Sequence, residues 1–307
     1  MSALCGTCMR RLEGKVVLVT GSGRGFGRSM ALAFGLEGAK VVCVARTVSD
    51  LEGTRDLLLS SGGDAEVLRV DLVVPEEIDS LREAVEEGFG GLDVLVNNAA
   101  TSPWKTLDET TVEDWDRTLG VNLRAPFLLA KAFKGSMAAR GGGSIINVTS
   151  RSAEMGFVAE VGYCPSKYGL EGLTQCLALE LRPLDIAVNS LNVSTPEGRR
   201  LKPTELTLRE AAEIPEAERS GFASEAEMVE AFTDAWTFLA LQRGSGVTGQ
   251  RLSTKGLAEE LDRDGWDGVE ERLRGRLTKA VYQPYGFPRK VRYQTPGGGW
   301  DELVFEP

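Results

Sequence analysis

Along the first 190 or so residues, short runs of β-branched and aliphatic residues alternate with longer segments whose apolar positions follow a helical period. KVVLV, KVVCVA, AEVLRV, LDVLVN, SIINVTS and IAVNSLN read as strands, and the segments between them are long enough to be crossover helices. The runs are continuously apolar, which predicts strands covered on both faces. This alternation predicts an α/β fold: a doubly wound parallel sheet in a single domain with a C-terminal extension. After Asn192 the pattern changes to a polar, acidic stretch, expected to form a lid over about 196–232, then a helical WTFLALQ and a last strand in VTGQRLS. The expected limits are an N-terminal arm over 1–12, the α/β domain over 13–255 and an extension over 256–307 that is too small to fold alone. Its aromatic residues, Trp266, Tyr282, Tyr285, Phe287 and Trp300, predict that part of it packs on the body of the protein or on a neighbouring subunit, near the mouth of the active site.

Composition narrows the function more than the fold. With 307 residues, 42% of them hydrophobic, the chain can bury a large core. A net charge of -10 argues against nucleic acid or an anionic membrane as a partner. No apolar run approaches a bilayer span and the N-terminal residues lack a signal-like apolar region, so a cytoplasmic enzyme is expected. Five cysteines without framework spacing fit a reducing compartment, and the Cys5–Cys8 pair reads as part of a flexible arm. The chain contains no histidine. That excludes Ser-His-Asp and Cys-His nucleophile systems and imidazole metal sites, leaving Tyr, Lys, Asp, Glu or Cys for acid–base work. No metal is expected.

TGSGRGFG, Thr20 to Gly27, follows the first strand and opens a helix. Gly21 suits the tight turn, Gly25 the helix start and Gly27 close packing of helix on strand, so that backbone N–H groups, with Ser22 and Phe26 in the same turn, can approach a pyrophosphate. At the end of the second strand stand Ala45 and Arg46, with no carboxylate to accept ribose hydroxyls. Arg46, with Arg24 from the glycine turn, offers planar donors to a 2′-phosphate, so NADP is the expected cofactor. Farther on, YCPSK places Tyr163 and Lys167 four apart on one face of a helix expected to begin near Pro165. Bringing a tyrosine from a pKa of about 10 to near 7 takes roughly 4 kcal/mol. An ammonium at about 5 Å supplies roughly 3 kcal/mol of this, and an oxidised nicotinamide could add the rest. Ser150 closes the strand SIINVTS and can hydrogen-bond a substrate carbonyl oxygen. Asn122 interrupts a helical segment, where asparagine often marks a bend or a site.

Together these motifs resemble the short-chain dehydrogenase/reductase family, in its compact T-G-x-x-x-G-x-G branch, over roughly residues 13–253. The resemblance implies a Rossmann fold, with the cofactor turn on Thr20, Gly21, Gly25 and Gly27 and an adenine-side pair at Asp71 and Leu72. The N-N-A-G element falls on Asn97, Asn98, Ala99 and Ala100, with Asn98 and Ala99 lining the cofactor. It places the catalytic Asn, Ser, Tyr and Lys on Asn122, Ser150, Tyr163 and Lys167. Tyr163 would be the proton donor, Ser150 would stabilise the oxygen, Lys167 would bind the ribose, and Asn122 would hold a water that feeds protons to Lys167. The implied activity is NADP(H)-dependent hydride transfer to a small-molecule carbonyl or from an alcohol, in a homodimer or homotetramer. The chain departs from the pattern at Ala100, at Asn192 to Thr195 where Pro-Gly is usual, and in lacking the terminal Gly-Gly. Thr195 is the expected carboxamide contact in that altered loop. The alternative is a catalytically silent NADP-binding regulator or scaffold of the same fold, against which the complete Asn, Ser, Tyr and Lys set argues. Sugar-nucleotide epimerase chemistry is disfavoured by the glycine spacing.

Overall fold

The computed structural model describes residues 10–193, 200–201, 222–279, 290–295 and 299–304. Each predicted apolar run forms a strand: β1 (Val16–Thr20), β2 (Lys40–Ala45), β3 (Asp64–Arg69), β4 (Val94–Asn97), β5 (Gly143–Thr149) and β6 (Ile186–Asn192). Beyond two-residue pieces β7 (Arg200–Leu201) and β8 (Phe222–Ala223), β9 (Arg251–Ser253) completes the main sheet. Its order is β3-β2-β1-β4-β5-β6-β9 and all pairs are parallel. The chain winds outward from β1 to β3 and then returns to the other side of β1 at β4. This reversal opens a crevice beyond the C-terminal ends of β1 and β4. Those ends are nearly level, with Thr20 opposite Val44, Val19 opposite Val96, Asn97 opposite Asn147 and Thr149 opposite Asn192.

Alternate residues of β1 face opposite layers, as strand periodicity requires. Val17 and Val19 pack with α1 (Gly25–Leu36) and α2 (Val48–Ser60); Val16 and Leu18 pack with α3 (Pro75–Phe89) and the second half of the helical segment that follows β4. That segment comprises α4 (Val112–Leu119), one π-helical turn (Gly120–Arg124) and α5 (Ala125–Ala139). A capping box starts α4, with Thr111 and Asp114 each bonding the other's backbone N–H. Helix α6 (Tyr163–Glu180) is tied to the sheet by a buried chain, Asn97 Nδ2 to Asn147 Oδ1 (2.8 Å) and Asn147 Nδ2 to Thr174 Oγ1 (2.9 Å).

The polar stretch after β6 turns helical earlier than its composition indicates. Helix α7 (Glu225–Ala240) begins at a Ser224–Glu227 capping box, and Met228, Phe232 and Trp236 are buried in the core. The last eight residues of the expected lid therefore belong to this helix, while residues 202–221 lie outside the described residues. Helix α8 (Thr254–Leu273), with a break at Gly265 (φ 70°), buries Leu257, Leu261 and Val269 against α7, and Trp266 meets Phe238 edge-on at 5.5 Å. The Arg11 guanidinium lies 4.6 Å from the Trp266 ring and pairs with Glu37 and Asp234. Farther along, Thr278 N–H donates to the Gly249 carbonyl (3.0 Å), so the extension also lines the outer edge of β9. Part of the extension thus packs on the body of its own chain, through Trp266 and the aliphatic residues of α8. Residues 290–304 include a hairpin of β10 (Lys290–Gln294) and β11 (Trp300–Val304). Tyr282, Tyr285, Phe287, Cys5 and Cys8 lie outside the described residues.

Ending the chain at Lys255 removes three buried aliphatic side chains and Trp266, a loss of about 5 kcal/mol or more. Thermal unfolding is expected to fall by about 10 °C or more, or the product to be insoluble. An unchanged midpoint would show that α8 is not part of the cooperative unit.

Candidate active site

The glycine turn sits at the switch between β1 and β4. Gly21 takes φ +66°, its N–H donates to Val44 (2.7 Å), and a Cβ there would lie 2.9 Å from Ala99 Cα. Thr20 Oγ1 donates to the Val96 carbonyl (3.1 Å) and accepts from the N–H groups of Asn98 and Ala99 (both 3.0 Å), while Asn98 Nδ2 donates to the Thr20 carbonyl (2.9 Å). The ends of β1 and β4 are thereby joined. A Cβ on Gly27 would collide with the Gly21 carbonyl and the Asn98 amide, so glycine at this position is required by packing. Ser22 is buried: its Oγ accepts from Val44 N–H (2.9 Å) and its carbonyl from Thr54 Oγ1 (2.8 Å). Phe26 is half-buried against the α1 face of the core.

Gly25, at φ +59°, opens α1, and its N–H donates to Glu225 Oε1 (2.9 Å), reaching across from the first turn of α7. Arg28 stands 3.5 Å from the same carboxylate and braces the turn through the Gly23 carbonyl and Thr54 Oγ1. Arg24, in extended backbone at the head of α1, and Arg46, after β2, are exposed. Neither guanidinium has a partner among the described residues. Asp71 is half-buried; its N–H donates to Glu77 (2.7 Å) and its carboxylate accepts from Arg117 (3.4 Å), while Leu72 is buried. Thr195 lies outside the described residues.

The second cluster forms where β5 and α6 meet. Helix α6 starts at Tyr163, two residues ahead of Pro165, which lets Tyr163 and Lys167 span its first turn. The Lys167 side chain is buried and its Nζ donates to the Val148 carbonyl of β5 (2.8 Å) while standing 5.5 Å from the Tyr163 ring centroid. Burial pulls the Lys167 ammonium down to about 8, against an opposing pull from the Glu171 carboxylate. Ser150 follows β5 directly; its hydroxyl accepts from Ser152 N–H (3.2 Å) and hydrogen-bonds Tyr163. The expected shift toward 7 counted on an oxidised nicotinamide as well as on Lys167; the chain by itself holds the tyrosine the other way. Burial pushes the Tyr163 hydroxyl up to about 12, Glu160 and Cys164 push the same way, and the Ser150 hydrogen bond opposes them. Desolvation of the phenolate outweighs an ammonium that is itself desolvated and turned to a carbonyl.

Asn122 lies in the π-helical turn, where Ala125 N–H reaches back five residues to Gly120. Its amide exchanges two bonds with Thr101, from Thr101 N–H to Oδ1 (2.8 Å) and from Nδ2 to the Thr101 carbonyl (2.9 Å). Nδ2 also donates to Ser166 Oγ (3.0 Å), which donates to the Tyr163 carbonyl (2.6 Å). Asn122, Ser150, Tyr163 and Lys167 are therefore brought together at the C-terminal edge of the sheet, beside Asn98 and the glycine turn. Sequence reading missed Ser152, whose Oγ donates to Glu160 Oε2 (2.7 Å), and Arg251, whose guanidinium reaches the Ser150 carbonyl (3.1 Å). It also missed Glu225, whose only local signal is its place in the acidic first turn of α7. Among the described residues no cluster of His, Cys, Asp and Glu could hold a metal, and no helix is long and apolar enough to cross a membrane.

A glycine turn at the switch point and a polar set at the same sheet edge define an oxidoreductase of the Rossmann type. The chain belongs to the short chain dehydrogenase family, whose model matches residues 15–202. It is 37% identical over 249 residues to L-xylulose reductase of Mesocricetus auratus, covering 80% of this chain and 96% of that one. It is 35% identical over 185 residues to D-threitol dehydrogenase of Mycolicibacterium smegmatis, covering 59% and 70%. Its fold matches that of a metagenomic short-chain oxidoreductase in complex with NADP, with a TM-score of 0.65 and 29% identity over 79% of this chain and 97% of that one.

The burial of Lys167 has a measurable consequence. Its folded value, about 8, is below the 10.5 of a solvated lysine, so the protein bears the full cost below pH 8 and loses it as pH rises toward 10.5. Lys167→Met is expected to be more stable than wild type at pH 7 by on the order of 3 kcal/mol, the gap closing between about pH 8 and 10.5. A difference that does not change with pH would contradict the burial of an ionisable amine.

Proposed function

We propose that this chain is an NADP(H)-dependent reductase and dehydrogenase acting on small polyhydroxylated carbonyl compounds and alcohols. The reading is carried by a tyrosine hydroxyl bonded to Ser150 with a buried lysine one turn farther along the same helix. The residues present fit the cofactor on an observation at the turn itself: Gly25 N–H, at the positive end of α1, already holds an anion, the Glu225 carboxylate. Gly21, Ser22, Gly25, Phe26 and Gly27 would form the pyrophosphate turn, and Asp71 and Leu72 the adenine side. Asn98, Ala99, Tyr163 and Lys167 would line the nicotinamide riboside, with Thr195 at the carboxamide. Arg24 and Arg46, two guanidiniums without described partners, would hold the 2′-phosphate. When bound, NADPH supplies the hydride.

The chain's own groups supply the proton and the orientation. Ser150 Oγ donates to the substrate oxygen and Tyr163 Oη gives it a proton, so that charge does not build on oxygen as the carbon is reduced. A hydroxyl kept protonated by burial suits donation at neutral pH; the reverse reaction needs it ionised, so alcohol oxidation rises toward alkaline pH. Asn122 holds the loop after β4 against α6 and so keeps Tyr163 in line. The polar character around these groups supports a hydroxylated substrate: Ser152 and Glu160 flank Ser150 and Tyr163. The sugar and polyol names of the two relatives agree with it. Exposed Val112, Trp115 and Phe127 on α4 and α5 suit association with a second copy.

Tyr163→Phe is expected to leave the NADPH dissociation constant within about 2-fold and to lower kcat by at least about 100-fold on a panel of ketoses and polyols. Retention of more than a few per cent of activity would remove Tyr163 from the reaction. Arg46→Ala is expected to lower kcat/KM for NADPH by about 10- to 100-fold and to leave NADH almost unaffected. Equal losses with both cofactors would make Arg46 a structural group. NADPH binding without turnover of any carbonyl would favour a regulator.

A further inference from the structure

Arg251, the first residue of β9, sits among the reacting groups without touching the place where a substrate would react. Its backbone is fixed on both sides: Ser190 of β6 donates to the Gln250 carbonyl (2.9 Å), and Arg251 N–H donates to Thr278 Oγ1 (2.9 Å) in the extension. From this anchored point the guanidinium makes three contacts. Nη2 donates to the Ser150 carbonyl (3.1 Å), Nε to Glu171 Oε1 (2.9 Å), and Nη1 pairs with Glu154 Oε1 (2.6 Å). Glu171 is one turn beyond Lys167 on α6, and its other oxygen accepts from Ser190 Oγ (2.7 Å). The three contacts come from Ser150 after β5, from α6 and from Glu154, which closes the 3-10 turn Arg151–Ala153 leading toward Tyr163. A planar fork reaches the three acceptors from three separate nitrogens, whereas an ammonium would have to reach all of them from one point.

We infer that Arg251 is a positioning residue: its guanidinium ties the main chain at Ser150 to Glu171 and so holds the serine hydroxyl and the Lys167 end of α6 in one frame. This rests on Ser150, Tyr163 and Lys167 being the reacting set. The same contacts set the charge around Lys167. Lys167 faces the Tyr163 ring and Glu171 on its own helix and the Val148 carbonyl on β5; Tyr163 in turn faces Ser150, Glu160 and Cys164. Glu171 favours the ammonium, and the Arg251 guanidinium, bonded to Glu171 at 2.9 Å, would offset that influence. Removing the arginine and removing the glutamate therefore act on Lys167 with opposite sign, which a purely structural contact would not do.

The test reads Lys167 directly, without turnover. In protein carrying lysine labelled with 13C at Cε, the Lys167 resonance is assigned by its loss in Lys167→Met and followed through pH. Arg251→Gln is expected to move its midpoint upward and Glu171→Gln downward, each by about 0.5 unit or more. Shifts of the same sign, or none in either variant, would overturn the proposal. Should Arg251→Gln not fold, Glu171→Gln decides: a midpoint that does not fall overturns it. In steady-state kinetics Arg251→Gln is expected to lower kcat by about 10-fold or more with the NADPH dissociation constant unchanged. Arg251→Lys, which keeps the charge and loses the fork, is expected to restore the Lys167 midpoint and leave kcat low; full recovery of kcat would overturn the tie to Ser150. If wild type reduces no carbonyl with either cofactor, the functional reading fails, and the titration still decides whether Arg251 and Glu171 act on Lys167.

Discussion

The Lys167 ammonium reaches the Val148 carbonyl only because β5 ends level with its neighbours and α6 starts at Tyr163, and most of the site follows from that one buried contact. An amine enclosed by apolar neighbours is costly, and a strand carbonyl is the partner that makes it tolerable. Once Lys167 is fixed to β5, Tyr163 one turn earlier has its hydroxyl directed at Ser150, the first residue beyond the same strand. Strand, serine, tyrosine and lysine therefore form one rigid unit. Asn122, bonded to both Thr101 and Ser166, connects this unit to the loop after β4 and thus to the crevice where the sheet reverses.

That crevice depends on close approach of backbones. Gly21 and Gly27 leave no room for a Cβ, and Thr20 draws Asn98 and Ala99 against the end of β1. The positive end of α1 thus follows β1, while Ser150, Tyr163 and Lys167 gather at the end of β5, two strands along the same sheet edge. The extension adds to this frame by covering α7 and lining β9, from which Arg251 reaches Ser150.

Much of this was legible in the sequence. The apolar runs each became a strand, buried throughout in β1, β4 and β5, while β3 at the sheet edge leaves Asp64, Glu66 and Arg69 exposed. The glycine turn and the Tyr163–Lys167 spacing were legible because their chemistry is local: a turn at the head of a helix, a pair one turn apart. The misses share the opposite property. Arg251 and Glu171 are 80 positions apart, Gly25 and Glu225 are 200 apart, and no periodicity joins them. The start of α7 was hidden by its acidic first turn, which solvates one face while Met228 and Phe232 are buried on the other. The protein's own effect on Tyr163 was not legible, because a distance to Lys167 can be guessed from helical spacing, whereas desolvation of both groups depends on the packed core around them.

The proposed hydride transfer, paired with a tyrosine proton, would leave an isotopic mark on the product. With NADPH carrying deuterium at the transferring C4 position and a ketose that the protein reduces, mass spectrometry and proton NMR of the alcohol report where the label goes. One deuterium on the new carbinol carbon, with the hydroxyl proton drawn from solvent, is the expected result. An alcohol product without deuterium, formed while the labelled cofactor is consumed, would contradict direct transfer between the nicotinamide and the substrate carbon at this site.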